Sequence, residues 1–67
     1  MDIKKLKAQM ILKSKSVDEL AKELGISKSA LYRKLRGQSE FDRKEICGII
    51  KILQISNEEA IKIFFVK

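Results

Sequence analysis

The chain has 67 residues, 45% of them hydrophobic, and 15 Lys and Arg against 9 Asp and Glu give a net charge of +6. One Cys and no His leave no disulfide framework, no Cys/His metal cluster and no general base of the usual neutral-pH kind. The composition therefore points to one domain over residues 1–67, with one small core of packed apolar side chains, no metal and no cofactor. Absence of Pro and scarcity of Gly argue for a folded helical chain, and the longest apolar runs, such as Ile63 to Val66, fall far short of the ~18 residues of a membrane span. Met1 to Leu12 is basic but too polar for a secretory signal, so a reducing, cytoplasmic location is expected.

Apolar residues recur at intervals of three and four, so each element reads as a helix. The first spans roughly residues 2–13, with Ile3, Leu6 and Met10 on one stripe and Asp2 at its positive end. A second covers 17–24. Ser16 and Glu19 have capping-box spacing, Val17, Leu20, Ala21 and Leu24 share a face, and Gly25 stops it. The third covers 28–36, with Ser27 as N-cap and Gly37 as the stop. Only Gly25-Ile26-Ser27 separates these two, which is too short for anything but a bent helix pair.

The fourth helix, over about 43–53, starts at a second capping box, Asp42 and Glu45, with Phe41 and Ile46 placed as a hydrophobic staple. Its inner face is Ile46, Ile49, Ile50 and Leu53, and Cys47 reads as a buried small hydrophobe beside them. The fifth starts after Ser56, where Ser56 and Glu59 form a third capping box. Its run of Ala60, Ile61, Ile63, Phe64 and Phe65 is apolar nearly all round. Phe64 is expected to face inward. Phe65 and Val66 either add to a core short of apolar volume or stay exposed as an interface.

The positive charge is concentrated. Five Lys and one Asp lie in residues 1–15, and Lys28, Arg33, Lys34 and Arg36 lie in residues 27–36 with no acidic residue among them. An acid-free basic segment suits a polyanionic partner, although a solvated helix face has the same composition.

The run from Val17 to Arg36 resembles the helix-turn-helix of Cro/repressor-type (XRE-like) bacterial and phage regulators. Ala21 falls where two helices cross and only a small side chain fits. Gly25 makes the turn, and Leu20, Leu24, Ile26 and Leu31 fill the space between the helices. The likeness extends over the chain: a short basic helix, the helix pair, a polar loop and two closing helices, ending in Glu58-Glu59-Ala-Ile-Lys-Ile-Phe-Phe65 as in small phage Cro-like members. It implies an all-α, compact five-helix bundle of the lambda-repressor-like type. It also implies that the third helix enters the major groove of double-stranded DNA, N-terminus first.

On that resemblance the DNA-contacting residues are Ser27, Lys28, Ser29, Tyr32, Arg33, Arg36, Arg43 and Lys44. A helical wheel independently gathers Lys28, Ser29, Tyr32, Arg33 and Arg36 on one arc, opposite Ala30, Leu31 and Leu35. Arg33 suits a guanine edge through its fork, or a phosphate, with the base role favoured. Lys28 and Ser29 suit either. Tyr32 can meet a phosphate or a thymine methyl, or simply pack against the second helix. Arg36, Arg43 and Lys44 are phosphate contacts or solvated charges, and Ser16 needs no role beyond its cap. Lys34 departs from the family, which has an apolar residue there. Either its ammonium reaches out past the core, or the third helix is rotated.

The expected function is a sequence-specific transcriptional regulator that occludes a promoter or operator, as Cro-like antagonists do. If Phe65 and Val66 stay exposed, a homodimer through them fits this function; the sequence alone does not set the oligomeric state. The alternative is a protein–protein modulator that docks its apolar C-terminal end on a larger repressor. Neither a membrane surface nor a small-molecule ligand is an expected partner, and nothing in the residue set suits catalysis.

Overall fold

Five times along the chain an Asp or Ser side chain accepts a hydrogen bond from the backbone N–H three residues on, and five helices begin there. The computed structural model describes residues 1–65. The helices are α1 (Ile3–Leu12), α2 (Val17–Leu24), α3 (Lys28–Leu35), α4 (Arg43–Ile52) and α5 (Asn57–Phe64), with no strand among the described residues. The N-caps are Asp2, Ser16, Ser27, Asp42 and Ser56, with N···O distances between 2.7 and 3.2 Å. Each satisfies one of the four N–H groups that a helix start leaves unpaired.

Two of the three expected capping boxes are complete: Glu19 also accepts from the Ser16 N–H at 3.1 Å, and Glu45 from the Asp42 N–H at 2.9 Å. The third is half made. Ser56 accepts from the Glu59 N–H, but the Glu59 carboxylate lies toward Lys62, 4.0 Å away, instead of returning to the cap. The helices also end earlier than the apolar pattern suggests. Lys13, Arg36 and Leu53 are C-caps, because the chain has already turned out of the helix there.

Four helices stop in the same way. After α2, the Ile26 N–H reaches Ala21 O at 3.0 Å and the Gly25 N–H reaches Lys22 O at 3.2 Å. This is the paired closure of a Schellman motif, with Gly25 left-handed at φ +75°. The same two bonds recur after α3 around Gly37 (φ +80°), after α1 around Ser14 (φ +55°) and after α4 around Gln54 (φ +53°). Gly takes this conformation without a Cβ clash, whereas Ser14 and Gln54 adopt it at some cost.

All five helices contribute to the core. Leu6, Leu20, Leu31, Ile49, Leu53 and Ile63 are fully buried, with Met10, Ala21, Leu35, Phe41, Ile55, Ala60 and Phe64 around them. Each fully buried Leu or Ile is worth about 1.5–3 kcal/mol. No polar side chain is buried among the described residues. Gly48 of α4 lies under Leu24 of α2: a Cβ there would sit 2.9 Å from Leu24 Cδ2. The start of the chain is tied to its other end by the Asp2 N–H, which donates to Ile63 O at 2.7 Å. Among the described residues no helix is long and apolar enough to cross a membrane.

One core assignment made from the sequence fails. Cys47 is exposed. Each residue turns a helix by about 100°, so the position after Ile46 swings away from the face that Ile49 and Leu53 fill.

Candidate nucleic-acid interface

Ala21, 3% exposed, lets α2 and α3 approach, and the Gly25 turn sets the angle between them. Leu31 and Leu35 are the side of α3 that enters the core. With that side fixed, Lys28, Ser29, Tyr32, Arg33 and Arg36 all face outward, as the wheel requires. The helix is not rotated by Lys34.

Lys34 does not end in open solvent either. Its side chain is 14% exposed, and its ammonium meets the Glu45 carboxylate at 3.2 Å and donates to Glu40 O at 3.0 Å, beside the Phe41 ring. Glu45 is also the capping-box acid of α4. One carboxylate oxygen thus holds both the start of α4 and a cation of α3, which fixes the intervening loop to both helices.

Three of the outward residues form a row. The Tyr32 ring lies between two cations one turn away on either side, with Lys28 Nζ 6.0 Å and the Arg36 guanidinium 5.6 Å from its centroid. These distances are those of cation–π contacts. The same ring lines a shallow apolar groove of about 290 Å³ with Met10, Ile11, Val17 and Leu35. Tyr32 therefore packs near α2 and also presents an edge to solvent. The Arg33 side chain makes no hydrogen bond or ion pair among the described residues, so its fork of donors is available.

The start of α3 differs electrically from those of α2, α4 and α5, while α1 also lacks a first-turn acid but has the Asp2 carboxylate as its cap. First turns of α2, α4 and α5 each carry acids, which the positive end of a helix favours. The first turn of α3 has none, and Lys28 occupies its first position. The carboxylate it lacks comes from the neighbouring helix: Asp18 of α2 lies 3.0 Å from Lys28 Nζ. That hydrogen bond and its Coulombic attraction raise the Lys28 pKa above its ordinary 10.5. On α2 the opposite arrangement holds. Hydrogen bonds from the Ser16 backbone and hydroxyl hold the Glu19 carboxyl below its ordinary 4.5.

The other expected residues are spread more widely. Ser27 spends its hydroxyl oxygen on the Ala30 N–H. Arg43 and Lys44 are exposed on the first turn of α4, a separate element from the row, and Lys44 lines a groove with Leu24 of α2 and Ile26 of the turn that follows it. At the far end Phe64 is buried, while Phe65 is 64% and Ile61 59% exposed. Val66 lies outside the described residues.

Sequence reasoning missed two sets of residues. Asp18, ten positions before Lys28, and Glu45, eleven after Lys34, become partners only once the helices are placed. Ile11 and Leu12, 79% and 71% exposed, end α1 outside its buried stripe. Their position on the wheel was the signal available for them.

A protein-family model described as a Cro/C1-type HTH DNA-binding domain matches residues 5–65, and so contains the whole row, its Asp18 partner and both flanking helices. No curated protein and no solved structure matches the chain.

Proposed function

The chain belongs to the Cro/C1-type helix-turn-helix DNA-binding domains, and from that premise we propose that it is a sequence-specific transcriptional regulator that seats α3 in the major groove and occludes a promoter or operator. The observation that carries this reading is the exposed, acid-free face of α3. Lys28, Tyr32 and Arg36 form one ordered row there and Arg33 extends beside it with its donors unpaired among the described residues. A helix fits the major groove, and each base pair displays a distinct set of donors and acceptors there. Arg33 reads a base edge, since a fork of donors matches the O6 and N7 of guanine. Arg36, Arg43 and Lys44 neutralise phosphates on either side, while Ser27 and Ser29 stand at the helix mouth where a phosphate or a base edge meets the positive helix end. The residues 1–67 act as one DNA-binding unit.

Two copies bind as a homodimer. Ile61 of α5 and Phe65, the C-cap whose N–H donates to Ile61 O, offer an apolar strip remote in sequence from α3. Pairing through it leaves both recognition helices uncovered, and half-sites one helical turn apart, about 34–36 Å, are the geometry by which such dimers gain affinity. Phe65→Ser should convert a dimer to a monomer with helicity retained, read by sedimentation and circular dichroism. A monomeric wild type defeats the dimer.

Selection of bound duplexes from a random-sequence pool tests the function. At about 150 mM salt, phosphate attraction alone is weakened. An enriched inverted repeat is expected. Enrichment of a single half-site would make the protein a specific monomer. No enrichment would overturn the reading in favour of a modulator that uses the same exposed Ile61 and Phe65 to bind a larger repressor.

A further inference from the structure

Asp18 needs an explanation because it places a carboxylate against the basic row. Its ion pair with Lys28 has both side chains well exposed, 67% and 57%. Exposed pairs contribute little to stability, so folding alone does not account for it. Asp18 itself is well placed at the start of α2, and any acid there would favour that helix. Its reach across to Lys28 is what the α2 start does not require.

Taking the DNA-binding reading above as given, we propose that Asp18 is a specificity-determining residue, which holds Lys28 off backbone phosphates and keeps it for a base edge. An ammonium has three donors. One is used on Asp18 at 3.0 Å, and the same ammonium lies 6.0 Å from the centre of the Tyr32 ring. Both contacts draw the group toward the face of α3, with donors remaining for an acceptor met there. On random DNA the protein has only phosphates to gain. Lys28 can join them only by leaving Asp18, whose own charge the phosphates repel. At the cognate site the docked helix brings a base acceptor to the held ammonium, and the pair stays intact. Asp18 therefore weakens non-specific binding more than specific binding.

The experiment compares wild type, Asp18→Asn, Lys28→Ala and the double variant, on the duplex selected from the pool and on a random-sequence duplex, across a salt series. Equal thermal midpoints establish that all four fold. Asp18→Asn should bind random DNA several-fold tighter and steepen its log affinity–log salt slope by about 0.9, the release expected for one added phosphate contact. Its affinity for the selected duplex should not rise, so the specificity ratio falls. In the Lys28→Ala background the same change should leave the salt slope unchanged, because no cation is released to a phosphate, and should give only the modest gain of removing one repelled charge. An equal gain on both duplexes, or a slope that steepens equally without Lys28, would reduce Asp18 to a general negative charge and overturn the proposal. No change on either duplex would overturn it as well. A wild type that binds neither duplex at low salt would instead remove the DNA-binding reading on which it stands.

Discussion

α2 and α3 are built to one plan and differ at one end. Both are eight residues long, both begin at a serine whose hydroxyl accepts from the third N–H, and both are closed by a left-handed glycine. Their first turns are opposite. α2 opens with Val17, Asp18 and Glu19, which complete its capping box and complement its positive end. α3 opens with Lys28, Ser29 and Ala30, which do neither. The α2 start is satisfied within the chain. In α3 the first turn carries no acid of its own: Ser27 caps one N–H, and the nearest carboxylate, Asp18, is lent by α2. One helix start is thus completed by its own residues and the other by its neighbour's, beside an exposed basic face.

The largest effect should come from Ala21→Glu on α2. It would bury a charge at the helix crossing, cost at least about 3 kcal/mol and unfold much of a protein this small. Thermal melting checks it, and an unchanged midpoint would break the assignment of α2 as scaffold. Arg33→Ala on α3 should do the reverse, leaving the melt alone while specific DNA affinity falls by about 1–3 kcal/mol. Equal loss on random DNA would make Arg33 a phosphate contact. Ser29→Asp gives α3 the acid that α2 has at the same position. It should raise stability by about 0.3–1 kcal/mol while weakening DNA binding, and a variant that gained both would end the contrast. The smallest effect is in pH. Glu19 has a lowered pKa in the folded state, so its contribution is complete above the ordinary 4.5 and is lost as pH falls from there through the lower folded value. Acid melts should register this loss in wild type and not in Glu19→Gln.

Helix starts were legible because a cap is a local device, made between residues three apart. Ser16, Ser27 and Asp42 could be read without knowing what any helix touches. The outward arc of α3 was legible for a related reason: Leu31 and Leu35 fix which side goes in. What could not be read was any pairing set by the packing of one helix on another. The wheel position of Lys34 allows an ammonium reaching past the core or a rotated helix, and the packed structure shows neither: Lys34 is one side of a tie to Glu45 and Glu40 O. Asp18 stands on the first turn of α2, and nothing in the sequence joins it to Lys28 until α3 is packed beside it. Cys47 differs for a simpler reason: it is near in sequence to the buried Ile49 and the half-buried Ile46 and Ile50, which lie on another side of the helix. The exposed apolar strip on α5 was half legible. The run was too apolar to be wholly covered by so small a core, yet which member escapes depends on how the helix is rolled, and among the described residues Ile61 and Phe65 do.

The four matching helix stops bear on how quickly the protein forms. Every described helix has its start signal within three residues, and α1 to α4 each have a stop closed by bonds spanning no more than five. Such short-range closures need little chain to be searched, and helical bundles with mostly local contacts fold in microseconds to milliseconds. With no proline in the sequence there is no slow prolyl isomerisation to wait for. A chain made this way folds faster than a ribosome adds its next residue, so folding itself sets no delay between its synthesis and the folded monomer.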